Sequence, residues 1–374
     1  MRLRKRQQQF IEAAARPGGG SPSALFWRRF RRNRMAMVSI VVIGLFALTA
    51  LLGYLITPDH TPYCNQQYLE LASQKPLSRA TFVLLDNGMP TTPGGPLRTM
   101  LHGRSLDADA VPIYKYEWRG DSLRYETYTG SEPNDGEVHT VARAQVKEVR
   151  SRTFLFGTDT YGRDLLSQVM IGSRVSLSVG FIAVAIALLI GILLGALAAY
   201  HGGWVDSVVM WFINVVWSIP TVLLVIAITF ALGKGFWQVF IAVGLTMWVD
   251  VARVVRGQVL TVKEKEYVEA ARALGYRTPR IILRHILPNI TGPVVVVTAS
   301  NFATAILLEA GLSFLGIGVQ PPMPSWGSMV KENYGQILLD SAYQAFIPGL
   351  AIMVIVLAFM LLGNGIRDAL DIRS

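Results

Sequence analysis

Ionisable side chains are scarce in this chain, 16% of residues against 52% hydrophobic, so those that recur at a structural spacing stand out. In residues 266–290, EYVEAARALGYRTPRIILRHILPNI, the residues Tyr267, Ala270, Ala271 and Leu274 fall at i, i+3, i+4 and i+7. They share one helical face, with Glu266, Glu269 and Arg272 around its sides. Two alanines let a partner's backbone come close, and Glu269 and Arg272 offer charged hydrogen bonds at the rim. That is the chemistry of docking rather than of bond cleavage. Gly275 suits the left-handed residue that ends a helix, Thr278 is placed to cap the next one, and Pro279 fits its first turn. Taken alone, the pattern also fits an amphipathic helix resting on a membrane surface.

Bond-breaking chemistry finds no support elsewhere. The sequence has no Gly-x-x-x-x-Gly-Lys-Ser/Thr phosphate loop, no His-Glu-x-x-His and no nucleophile elbow. ATP hydrolysis by this chain is therefore not expected, and no catalytic residue is assigned. Histidines at 60, 102, 139, 201 and 285 include no pair at helical ligand spacing, so no metal site is expected. The single cysteine, Cys64, allows no intrachain disulfide.

These residues have to be positioned by membrane-embedded elements, because mean hydropathy is positive and charge is sparse. A hydrocarbon core of about 30 Å takes roughly 20 apolar residues to cross. Six runs qualify, near 35–57, 175–199, 208–232, 237–255, 291–317 and 343–363. Residues 1–34 carry ten Lys or Arg against the single acid Glu12, and residues 251–290 carry eight against three. Basic residues beside spans stay on the cytoplasmic side, so both segments, and with six spans both termini, are expected there. Arg28, Arg29, Arg31, Arg32 and Arg34 would anchor the first span. The net charge of +10 is thus a topology signal, and nucleic acid is not an expected partner.

Five units follow: a basic arm over 1–34, a first span over 35–57, a polar insert over 58–155, a helical core over 156–363 containing the loop 256–290, and a tail over 364–374. The insert is expected on the far side from the cytoplasm, where Tyr, Val and Thr with Gly, Asn and Asp breaks favour short strands over a loose loop. Alternation is clearest over 114–118 and 123–129. In the second run, Gly191 and Gly195 stand four apart, a spacing that allows close helix crossing in lipid. Pro220 should kink the third span and could mark a transport path. Asp250, at the end of the fourth span, and Glu309, inside the fifth, are isolated ionisable groups. Glu309 is either a path-lining or helix-pairing group, or one that reaches water at an interface. Nothing resembles a relay of charges, which argues against a self-contained ion-coupled carrier.

Residues 266–290 resemble the Glu-Ala-Ala loop of ATP-binding-cassette importer permeases: EAA, three residues, Gly, nine residues, then Ile-x-Leu-Pro, with His285 where the pattern has Ile and Pro288 in register. Gly157-Thr158-Asp159-Thr160-Tyr161-Gly162-Arg163-Asp164 is similar to the GTDxxGRD signature before the second span of dipeptide and oligopeptide permeases of the C type. Residues 314–326, FLGIGVQPPMPSW, and 363–371, GNGIRDALD, resemble that subunit's later segments, with Asn364 where Asp is commoner. The likeness covers about residues 22–57 and 154–373; the insert departs from it in length.

The resemblance implies an all-α membrane protein of the type I importer permease fold in the bacterial plasma (inner) membrane. It implies a second homologous permease subunit, two ATP-binding subunits that hold ATP and Mg, and an extracytoplasmic solute-binding protein as partners, with no cofactor in this chain. Tyr267, Glu269, Ala270, Ala271, Arg272, Leu274, Gly275 and Pro288 would dock an ATPase subunit. Asp159, Gly162, Arg163 and Asp164 would form an outer gate or a charge-paired scaffold, for which a capped turn opening a helix is the simpler reading. Pro220 and Glu309 would border the path. Di- and oligopeptides are the expected cargo, and nickel, glutathione and other small solutes the alternative.

Overall fold

The computed structural model describes residues 22–88, 95–104, 108–130, 133–233 and 235–370. The basic arm before residue 22 and the last four residues of the tail lie outside the described residues. Among those described, five helices are long and apolar enough to cross a membrane, and a bent pair supplies a sixth span if counted as one.

An amphipathic helix α1 (Pro22–Arg32) precedes α2 (Arg34–Leu52), the first span. Asn33 between them caps α2 by accepting a hydrogen bond from the Ala36 amide at 3.1 Å. The insert then folds as an antiparallel sheet, with β1 (Ser78–Asp86), a helix α3 (Pro96–His102), β2 (Ala108–Arg119), β3 (Ser122–Thr127), β4 (Val138–Ala142) and β5 (Val146–Phe154). The strand order is β4-β3-β2-β1-β5. Alternation along β1 lets it serve both faces of the sheet: Ala80 and Phe82 pack with Tyr68, Leu71 and Phe154, while Val83 meets Ile113, Leu123 and Tyr125. The sequence pattern had favoured such a β unit, and the structure contains it.

The helical core follows as α4 (Leu165–His201), α5 (Gly203–Ser218), α6 (Thr221–Leu232), α7 (Phe236–Val262), α8 (Glu266–Ala273), α9 (Thr278–Ile281), α10 (Thr291–Phe314), α11 (Trp326–Asn333) and α12 (Tyr343–Leu370). Its centre is the crossing of α4 with α7. A Cβ on Gly191 would lie 2.6 Å from Val251 Cβ, and one on Gly195 2.5 Å from the Ala252 carbonyl, so both glycines are contact points between the two backbones.

Several spans differ from their hydropathic outlines. At 37 residues α4 is about 55 Å long and begins ten residues before the expected span, because Asp164 caps it outside the apolar run. Helices α7 and α12 likewise run on to Val262 and Leu370. Asp250 therefore lies about halfway along α7 rather than at its end. The third span is not one kinked helix: α5 and α6 meet at 94°, with Ile219 extended and Pro220 standing before α6. Proline and the restricted residue before it end the first helix outright.

Candidate docking surface and signature turn

The docking segment is built at the His201 end of α4. Helix α8 is terminated by Gly275 at φ 75°, where the Gly275 amide donates to the Arg272 carbonyl and the Tyr276 amide to the Ala271 carbonyl, a Schellman closure. The residue ending this helix is thus glycine for a conformational reason. The next helix starts differently from expectation: Arg277, not Thr278, is the capping residue, no side chain caps it, and Pro279 sits in the first turn. A π turn follows over Ile282–Ile286, then a 3-10 turn over Leu287–Asn289 that contains Pro288.

The four-residue face expected of α8 is split. Ala271, only 3% exposed, and Val268 turn into the chain's own core beside Ala196, Ala199, Val255 and Val259. Tyr267, Ala270 and Leu274 turn outward with Glu266 and Glu269, and Leu274 is 73% exposed. The heptad-like count could not tell which alanine served the fold, because both lie near the boundary of the face. Arg272 also serves the chain itself, placing its guanidinium 5.1 Å from the Tyr200 ring. Lys263 Nζ donates to the Ala199 carbonyl at 2.8 Å, using up an acceptor at the end of α4. His285 stacks on Tyr276, centroids 6.0 Å apart, while Ile286 beside it is buried. The polar substitution is therefore accommodated on the outer side of the turn.

At the opposite end of α4 lies the turn of residues 157–164. Asp164 is the capping residue, accepting from the Ser167 amide at 3.0 Å and pairing with Arg152 of β5 at 3.3 Å. Asp159 accepts from the Tyr161 and Arg163 amides, both at 2.9 Å, and from Arg163 Nε at 2.5 Å. The same guanidinium donates to Glu332 of α11 at 2.6 Å and to Asn65 at 3.3 Å. Burial alone would pull the Arg163 group down, but Asp159 and Glu332 hold it above its ordinary range. Gly162, at φ 73°, lies so close to the Tyr68 carbonyl that a Cβ would collide with it. Tyr343 and Gln344 of α12 donate to the Thr158 carbonyl at 3.2 and 3.1 Å. The turn thus joins the insert, α4, α11 and α12 in one network of buried polar groups.

The two candidate path residues separate. Pro220 marks the exposed elbow between α5 and α6. Glu309 is fully buried, with Ser176 donating to Oε2 at 3.1 Å and Ser313 to Oε1 at 2.7 Å. It pairs α10 with α4 and reaches neither water nor an outward face of the chain.

Three basic groups had not been singled out from the sequence. Arg256 forks onto Asp206 with both bonds at 2.6 Å, and Arg253 lies over Trp217 at 3.7 Å and donates to Asn214 at 3.0 Å. Arg174 donates to carbonyls of Ala50 and Leu51 at the end of α2 and of Met100 and Leu101 at the end of α3. Each is an arginine within or beside an apolar run, and its cost in lipid was the available signal.

Residues 187–374 match the family described as binding-protein-dependent transport system inner membrane component. The chain belongs to this family. Residues 21–76 match a second description, the N-terminal TM domain of oligopeptide transport permease C. A dipeptide transport system permease protein of Alkalihalophilus pseudofirmus is 41% identical over 216 residues, 58% of this chain and 71% of the relative. A glutathione transport system permease protein of Pectobacterium atrosepticum is 40% identical over 227 residues, 61% of this chain and 75% of the relative. A Lactococcus lactis dipeptide permease is 30% identical over 351 residues, 93% of this chain and 90% of that one. An alignment of that length runs through the insert, so a long segment after the first span is not peculiar to this permease.

Proposed function

We propose that this chain forms half of the translocation path of an ATP-driven importer of di- and oligopeptides, is itself non-catalytic, and couples to separate ATPase subunits through α8. The observation that carries the reading is the outward patch of Tyr267, Ala270 and Leu274 flanked by Glu266 and Glu269. An exposed leucine on a short helix with a charged rim suits a protein cleft better than water. Behind that patch, Val268, Ala271, Ile281, Ile282 and Ile286 belong to the same packed core as α4 and α7. Displacement of α8 by a closing ATPase would therefore be passed to the spans as a rigid shift, a two-state device biased by nucleotide.

The arrangement in the assembly would be one second permease subunit beside this one, two ATPases on the cytoplasmic side with both termini, and a solute-binding protein on the side of the sheet. Placement of the docking segment and the sheet at opposite ends of α4 supports that orientation, together with the basic residues flanking the docking segment. For residues 157–164 we favour a scaffold over a gate, because Asp159 and Arg163 are paired in several directions at once. The similarity to glutathione permeases favours a second cargo reading, and since glutathione is a tripeptide the two cargo classes overlap chemically.

The test is Glu269→Lys in the assembled transporter in proteoliposomes, with ATP-dependent dipeptide uptake and stimulated ATPase activity measured together. Uptake and stimulation should both be lost while insertion and assembly of the membrane subunits persist. Wild-type uptake by this variant would refute the docking role, and competition by dipeptide, glutathione or nickel ion would rank the cargo.

A further inference from the structure

We propose that α1 is a binding site for acidic phospholipid headgroups, built into the chain as an in-plane helix at the bilayer surface. Its sequence, PSALFWRRFRR, puts Phe26, Trp27 and Phe30 on one side at the helical period and Arg28 and Arg32 on the other, with Arg31 at the border, its guanidinium 5.0 Å from the Trp27 ring. Phe30 is the fixing point: it is 2% exposed, in a cluster with Ala36 of α2 and Ala369 of α12, with Phe26, Met37, Leu362 and Ile366 around it. Phe26 and Trp27 each stack on it with centroids 5.8 Å away.

A single residue separates α1 from the first span, and Asn33 is bonded in both directions, its amide to the Phe30 carbonyl at 3.0 Å and its side chain to the Ala36 amide at 3.1 Å. The span that follows is apolar along its length and scarcely buried within the chain, which leaves most of its surface for lipid or a second subunit. A helix joined to it by one clamped residue lies at the level where that lipid ends. Trp27, 46% exposed, has the amphipathic ring suited to that level.

Arg28, Arg31, Arg32 and Arg34 are all exposed. Among the described residues no carboxylate lies within ion-pair distance of any of them. Four guanidinium groups with no anion beside them among the described residues, three on α1 and Arg34 at the start of α2, are complementary to phosphodiester oxygens, which arginine binds in a forked geometry. Packing of Phe30 against α2 and α12 fixes the depth of α1, and the arginines supply the preference for negative headgroups.

The experiment uses the assembled importer, delipidated in detergent and titrated with phosphatidylglycerol or phosphatidylcholine, with bound lipid counted by native mass spectrometry. Each arginine near an anionic surface is worth about fivefold, so after screening the wild type should half-saturate with phosphatidylglycerol at roughly tenfold lower concentration than with phosphatidylcholine. The combined Arg28→Gln, Arg31→Gln, Arg32→Gln and Arg34→Gln variant should lose that difference, and the four Arg→Lys changes should keep most of it. Equal binding of the two lipids by wild type, or an unchanged preference in the Gln variant, overturns the proposal. So does a Gln variant whose ATPase coupling fails in membranes of phosphatidylcholine alone, since its arginines would then be serving protein carboxylates.

Discussion

Replacing Arg163 by alanine separates a scaffold from a gate at residues 157–164. In the structure the guanidinium is 11% exposed and faces Asp159, 1% exposed, and Glu332, 27% exposed. Arg163→Ala leaves the Asp159 charge enclosed, with the Tyr161 and Arg163 amides as its remaining donors. Breaking a buried pair from one side costs about 3–5 kcal/mol, and the two retained amides argue for the lower end, about 3 kcal/mol. Glu332→Gln removes only the outer partner and leaves Arg163 paired with Asp159, so its cost should be about 1 kcal/mol. Lysine at 163 cannot reach Asp159, Glu332 and Asn65 with one fork and should fall between these limits. The assay is thermal unfolding of the purified membrane complex alongside ATP-driven uptake in proteoliposomes. A loss of about 3 kcal/mol corresponds to a fall of roughly 4 °C in the melting midpoint for a chain of 374 residues unfolding as one unit. Uptake per folded complex, measured well below that midpoint, should stay within about twofold of wild type. An Arg163→Ala protein that melts like wild type but does not transport would refute the scaffold argument and restore the gate.

The split face of α8 predicts opposite behaviour from adjacent alanines. Ala271→Leu overpacks the core and should cost about 1–3 kcal/mol by thermal unfolding, whereas Ala270→Arg should leave stability unchanged and abolish ATPase stimulation in the assembled transporter. Equal effects on stability would show that α8 is rotated from the orientation described. Cys64 is buried, donates to the Asp59 carbonyl at 3.1 Å, and has its thiol pushed up by burial and by the nearby Asp59 carboxylate. The raised value keeps it a thiol through neutral and mildly alkaline pH, so maleimide labelling at pH 8 should be negligible in the folded protein and complete after denaturation. Rapid labelling of the native chain would mean that the loop over residues 59–74 opens.

The sequence by itself determined that this is a membrane chain, because long apolar runs have no other stable environment, and it located the spans to within about ten residues. It also marked the two segments that matter, since EAA with Gly275 and GTDxxGRD are local patterns whose caps and turns act over a few residues. A capped turn among residues 159–164 and Gly275 at a helix end were legible for that reason, though not how far each helix runs. The ends of α4, α7 and α12 were not, because hydropathy records where lipid begins and is blind to a helix that continues into water. The partner of each charge was also hidden: Arg163 meets Glu332 at a separation of 169 residues and Glu309 meets Ser176 at 133. Such pairings depend on how helices cross, and here the close approaches are Gly180 of α4 against Phe302 and Ile306 of α10 and Gly172 against Trp326 of α11. Which alanine of the docking motif faces outward was decided the same way, by the packing of Val268 and Ala271 on the end of α4. Periodicity defines a face, but only a neighbouring element decides which part of it is buried.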